Sequence, residues 1–166
     1  MRFHHMCLVT KDLEQSVTFW RDIMGFTLKV KAELPDGDGP TSLCTPKLLD
    51  DSFGIQGARS KMAILTSEND GTFIELQQPE TPNVQLTPPE KLHYGYTGIR
   101  ELGLVVDDID GMFKKVRDAG LRTATDYVWR TAHRPAVPGE VPPPDGRSFI
   151  FFDYEGNMIQ LWQYIT

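Results

Sequence analysis

With 166 residues, 40% hydrophobic and 24% charged, the chain has material for one ordinary globular domain or for two half-domains sharing a core. Its formal net charge of -6 comes without any block of Lys or Arg, which excludes the basic footprint of a nucleic-acid binder, and no apolar run approaches the roughly 18 residues of a membrane span. Two cysteines, Cys7 and Cys44, are too few for a disulfide framework or a thiolate metal site, and RFHHMC after Met1 lacks the apolar core of a secretory signal. The expectation is a cytoplasmic protein with reduced thiols and a small-molecule partner.

In chain order, FHHMCLVTKDL reads as a strand in which alternation sends His4 and His5 to opposite faces, so that one imidazole at least needs a polar partner. Asp12 then caps an amphipathic helix that Gly25 ends. FTLKVKAEL and SKMAILTS are the next strands. The glycine-bounded turn before the second lacks the GxxxxGK[ST] spacing of a phosphate loop, although Arg59 and Lys61 suit an anionic substrate tail. After the turn ENDG comes FIELQQP, where Glu75 stands between apolar neighbours that favour a buried strand. PETPNVQLTPPEKLHYGYTG, rich in Pro and Gly, is a linker. Beyond it lie RELGLVVDDID, a helix from Asp108 to Gly120, the strands TATDYVWRTA and RSFIFFDY, the turn YEGN and a last strand MIQLWQY. HRPAVPGEVPPPDG is too long for a hairpin turn and reads as a covering loop; His93 and His133 fall in such loops and are expected in solvent.

The two halves repeat each other. At an offset of 96, His5 falls on Glu101, Leu8 on Leu104, Val9 on Val105, Asp12 on Asp108 and Arg21-Asp22 on Arg117-Asp118; at 85, Glu75 falls on Gln160, Leu76 on Leu161 and Gln78 on Gln163. Each half is β-α-β-β-β, which makes the fold class α+β with two tandem βαβββ modules, 1–80 and 99–166, joined by a linker at 81–98. Either a homodimer or a tightly paired two-module monomer is expected, because one such module alone leaves the open side of its sheet uncovered.

Strand parity groups His5 with Cys7 and Val9, Glu75 with Phe73 and Gln77, Glu101 with Gly103, and Gln160 with Met158 and Trp162. If the halves pack by the twofold that the repeat implies, four polar side chains meet in one concave cavity. Two carboxylates buried together repel, and a divalent metal removes that cost. One imidazole with three oxygen donors suits Ni, Co, Mn, Fe or Zn, with some room for Mg.

HHMCLVTKDLEQSVTFWRDIMGF, FIELQQP, GIRELGLVVDDID and GRSFIFFDYEGNMIQLWQ together resemble the vicinal oxygen chelate superfamily of glyoxalase I, methylmalonyl-CoA epimerase, extradiol dioxygenases and bleomycin- or fosfomycin-resistance proteins. The resemblance covers nearly the whole chain and implies paired βαβββ modules cupped around a cavity that usually holds a metal. Its ligand positions, on the first and fourth strands of each module, fall on His5, Glu75, Glu101 and Gln160. His5 and Glu75 match common family ligands. Glu101 stands where histidine is usual, and Gln160 where the last strand usually supplies a glutamate that doubles as base in glyoxalase I; a glutamine has no titratable group for that role.

Because two of the three residues of the extradiol triad are absent, ring-cleaving oxygen chemistry is disfavoured. The expected function is a metal-dependent isomerase or carbon-sulfur lyase that abstracts a proton alpha to a carbonyl, with Glu101 as base and Glu75 as its competitor. Phe73, Gln77, Trp129, Met158, Trp162 and Arg59 are the expected substrate contacts. A binding protein of the drug-resistance type, holding an aromatic ligand without chemistry, is the alternative.

Overall fold

The computed structural model describes residues 4–132, 138–142 and 144–165. The chain divides into two compact units, Met1–Leu86 and Thr87–Thr166. In the first, strands β1 (His5–Val9), β2 (Thr27–Leu34), β3 (Arg59–Thr66) and β4 (Phe73–Thr81) form a sheet of order β1-β4-β3-β2. In the second, β5 (Glu101–Val105), β6 (Trp129–Thr131), β7 (Gly146–Phe152) and β8 (Met158–Tyr164) repeat that order as β5-β8-β7-β6. The last strand of each unit returns parallel to the first, and the other pairs are antiparallel. The expected α+β fold of two βαβββ modules is therefore present.

One face of each sheet is closed by the helix that follows its first strand. Asp12 caps α1 (Leu13–Thr18) by accepting from the Gln15 amide at 3.0 Å, and Asp108 caps α3 (Ile109–Asp118) by accepting from Gly111 at 2.9 Å. The repeat extends to side-chain contacts. Gln78 Oε1 accepts from the Leu13 amide at 2.8 Å, and its counterpart Gln163 Oε1 accepts from Ile109 at 3.5 Å. Each glutamine thus ties the fourth strand of its unit to the start of the helix.

The first helix continues as a π-helical turn, Phe19–Ile23, in which the Met24 amide donates to Phe19 O at 3.1 Å. Such a turn accommodates one extra residue. That accounts for a slip in the repeat, whose offset falls from 96 at Asp12 and Asp108 to 95 at Gly25 and Gly120. Both glycines have φ in the left-handed region, 79° and 74°, where a side chain would be strained. Phe19 and Trp20 of this turn are buried and, with Leu13, Val17, Ile74, Leu76, Ala63 and Leu65, make the core of the first unit. Ile109, Val116, Leu121, Phe149, Phe151, Ile159 and Leu161 do the same in the second.

Two local expectations need correcting. TATDYVWRTA was expected as one strand, yet only Trp129–Thr131 is ladder, with an isolated bridge from Thr123 to Phe151. Between them the Thr125 hydroxyl donates to Tyr127 O at 2.6 Å and turns the chain away from β7. The segment between β2 and β3 was read as a turn, but it contains α2 (Pro46–Phe53), with Thr45 at its N-cap, Pro46 in its first turn and Gly54 past its end. Leu49 of α2 joins Leu34, Ala58 and Met62 in a second apolar cluster, against which Val30, Ala32 and Ile64 pack.

Of the proline-rich loop, His133–Val137 and Pro143 lie outside the described residues, and with them the expectations for His133 and for the whole loop as a cover. Both cysteines are free thiols. Among the described residues, no helix is long and apolar enough to cross a membrane.

Candidate functional site

The face of the first sheet away from α1 carries the candidate site. Ladder partners set it out in rows: His5 beside Phe73 and Thr66, Cys7 beside Glu75 and Ile64, Val9 beside Gln77 and Met62. Because Ile64 and Met62 pair with Val30 and Ala32, the cluster around α2 covers this face on its β2–β3 side. The β1–β4 side is left for polar groups, and there Glu75 is held between an apolar cluster and an edge strand.

His5 and Glu75 come together as parity requires, with His5 Nε2 3.9 Å from Glu75 Oε2. That is too long for a direct hydrogen bond. Each group has its other polar atom engaged. Gln77 Nε2 donates to Glu75 Oε1 at 2.8 Å, and His5 Nδ1 lies 2.8 Å from His4 Nδ1, the two sharing one proton. With the proton on His5 Nδ1, the Nε2 lone pair faces the Glu75 oxygen. Two donor atoms each about 2.1 Å from a common ion stand at most about 4.2 Å apart, so the 3.9 Å separation is within reach of one divalent cation.

His4 does not point to the opposite face. The strand begins at His5, and His4, outside the ladder, turns its ring back to meet His5 and the edge of Phe73 at 4.7 Å. The Phe73 ring in turn stacks on His5 at 5.0 Å with 2° between planes. Phe73 therefore braces an imidazole, in addition to the substrate contact expected of it.

Cys7, next to Glu75 on the ladder, has an exposed surface, but the protein packed around its sulfur desolvates the thiolate, and the Glu75 charge and a hydrogen bond to Glu75 add to this. Together they push the thiol up to about 12. Glu75→Gln removes the charge while leaving the packing. In a Cys44→Ser background, alkylation of Cys7 by iodoacetamide at pH 9 should then speed up, about tenfold for each unit by which the thiol falls. An unchanged rate means that Glu75 does not face Cys7.

In the second unit Glu101 sits beside Met158, Gly103 beside Gln160, and Val105 beside Trp162. Glu101 and Gln160 thus share a face of their sheet. Glu101 Oε2 accepts from the Tyr94 hydroxyl, and this bond, with desolvation and the carboxylate charge, raises the Tyr94 phenol to about 12. Arg100, considered as an ion-pair partner for Glu101, instead donates to the carbonyls of Lys91, at 3.0 Å, and Thr97. Gln160 Nε2 donates to Ser148 Oγ at 3.2 Å. Trp129, Ser148 and Trp162 form one row across three strands on this face, and the Trp162 indole lies over Gly146, where a Cβ would be 2.2 Å from Trp162 Cε2.

Arg59 is exposed at the first position of β3, where a bulge shifts the register with β4, and Lys61 is paired with Glu80 at 2.9 Å. Among the described residues, no group of three or more His, Cys, Asp and Glu side chains is gathered closely enough to hold an ion. The residues that sequence reasoning missed are Ser60, whose parity with Met62 was readable, and Tyr94, which nothing in its Pro/Gly-rich surroundings signalled.

A family model described as the Glyoxalase/Bleomycin resistance protein/Dioxygenase superfamily matches residues 2–161. A glyoxalase family protein of Bacillus cereus superposes with a TM-score of 0.76 at 16% identity, covering 100% of this chain and 95% of that one. A glyoxalase/dioxygenase of Nostoc punctiforme gives 0.61 at 20% identity, covering 99% and 92%. The fosfomycin resistance protein FosX of Listeria monocytogenes, solved with Mn(II) and 1S,2S-dihydroxypropylphosphonic acid, gives 0.55 at 17% identity, covering 96% and 90%. No curated protein matches the chain.

Proposed function

Since the chain belongs to the Glyoxalase/Bleomycin resistance protein/Dioxygenase superfamily, we propose that it is a metal-dependent isomerase or lyase that moves a proton alpha to a carbonyl of a small molecule. The observation that carries this reading is the pair His5 and Glu75, whose Nε2 and Oε2 stand 3.9 Å apart while their other polar atoms are occupied. These two side chains would hold the ion. When bound, it supplies Lewis-acid polarisation of the substrate carbonyl.

The protein supplies the rest. Glu101, in the second unit, is the proposed base: Tyr94 donates to its Oε2, which fixes the carboxylate. Gln160, an amide held by Ser148, orients without exchanging a proton. Trp129, Met158 and Trp162 give the second sheet an apolar face beside Gln160 that suits the carbon skeleton of a small molecule.

Purification without chelators, followed by elemental analysis, should find about one divalent metal per chain. Mn(II), which accompanies FosX in its solved structure, is the first ion to add back. Proton NMR in deuterium oxide with a panel of small ketones, thioesters and thiohemiacetals should then show metal-dependent exchange at the alpha carbon. The alternative, a binder of aromatic ligands, is favoured by the row of Trp129 and Trp162. It predicts tryptophan quenching by such ligands with no bound metal and no exchange, and that result overturns the enzyme reading.

A further inference from the structure

We propose that Gln77, locked by Ser60, is a positioning residue that fixes the Glu75 carboxylate for the metal. This deepens the proposed function and rests on reading His5 and Glu75 as ligands. Gln77 was expected among the substrate contacts, but its carbonyl and one of its amide hydrogens are spent within the protein. Ser60 Oγ lies 2.5 Å from Gln77 Oε1, and Gln77 Nε2 lies 2.8 Å from Glu75 Oε1.

The direction of the chain follows from donor and acceptor chemistry. An ionised carboxylate only accepts, so Gln77 must present its NH2 to Glu75 and its carbonyl to Ser60. Ser60 has one hydroxyl proton and two acceptors within reach, Gln77 Oε1 at 2.5 Å and Lys61 O at 3.1 Å. If the proton went to Lys61, Ser60 Oγ could only accept, and it would compete with Glu75 for the Gln77 NH2. Donation to Gln77 therefore selects the amide orientation that Glu75 needs. Ser60 is 1% exposed, so water cannot substitute for it. With Oε1 held by Gln77, Oε2 lies on the His5 side, 3.9 Å from His5 Nε2.

The test uses the whole chain. In the metal-free protein, the side-chain NH2 protons of Gln77 should exchange slowly with solvent, and Ser60→Ala should abolish that protection. Gln77→Met keeps length and volume while removing donor and acceptor; it should move the Glu75 Cδ carbon resonance. On titration with Mn(II) alone, both variants should bind 10- to 100-fold more weakly than wild type, as loss of a group that orients a ligand typically does. A structural role alone would lower thermal stability and leave the Cδ resonance and the Mn(II) affinity where they are, and that result overturns the proposal. So does a shifted Cδ resonance with undiminished affinity. If the wild-type chain binds no Mn(II), the proposed function fails, and the Cδ shift in metal-free Gln77→Met still decides whether Gln77 holds Glu75.

Discussion

His5→Ala should fold as the wild type does and bind divalent metal at least about a hundredfold more weakly, a larger loss than the 10- to 100-fold of an outer partner such as Gln77. The imidazole side chain is 38% exposed, so deleting it leaves no buried cavity. Its stacking on Phe73 contributes about 0.5–1.5 kcal/mol, which a thermal melt will register as a small change. Glu75→Ala should match the loss of metal. Calorimetric titration with Mn(II) and Zn(II) measures both variants, and an affinity in His5→Ala equal to wild type would remove His5 from the site. His4→Ala separates the two neighbours: it removes the partner of Nδ1 and a ring contact with Phe73 but no proposed ligand, so its effect should stay within the outer range.

Glu101→Gln should lower exchange of the substrate alpha proton by 10²–10⁴-fold, the usual contribution of a general base, while leaving Mn(II) affinity much closer to wild type. The amide oxygen can still accept from Tyr94, so the local structure is kept. An independent readout needs no substrate. The Tyr94 phenol is raised to about 12 chiefly by its bond to the Glu101 carboxylate, with desolvation and the carboxylate charge adding to it. Without the charge it should fall from there, stopping short of the ordinary value near 10 because a hydrogen bond and the desolvation remain, and an absorbance titration should show one tyrosine ionising earlier. Tyr94→Phe frees Oε2 and leaves Glu101 less well oriented, so exchange should slow while Mn(II) affinity stays near wild type. Wild-type exchange in Glu101→Gln would leave Glu101 a ligand or a structural residue and move the base elsewhere.

Much of this was legible in the chain. The echo of HHMCLVTKDLEQ in RELGLVVDDIDG is a repeat of local patterns, and local patterns specify elements: an Asp cap, an apolar stripe, a terminating glycine. Strand parity then decides faces without any tertiary knowledge, which is why His5 and Glu75 were expected together and are. Even the slip of the repeat at Gly25 was visible in the spacing, although its cause, a π-helical turn, was not.

What parity cannot decide is which face stays open and which side chain of a distant segment arrives there. The helix α2 spans only Pro46–Phe53, too short for periodicity to announce, yet its cluster covers half of the polar face and leaves the β1–β4 side for His5 and Glu75. Ser60 meets Gln77 because β3 and β4 pair in one register, Ser60 lying diagonally across from it. Tyr94 reaches Glu101 from a loop with no regular pattern. His4 turns back because the ladder starts one residue after it. Sequence by itself determined most of the elements, the faces of the paired strands and the candidate ligands, since those depend on backbone propensity and side-chain period. Only the tertiary structure decided their partners, because a hydrogen bond between residues far apart in sequence depends on strand register and on which surfaces are covered.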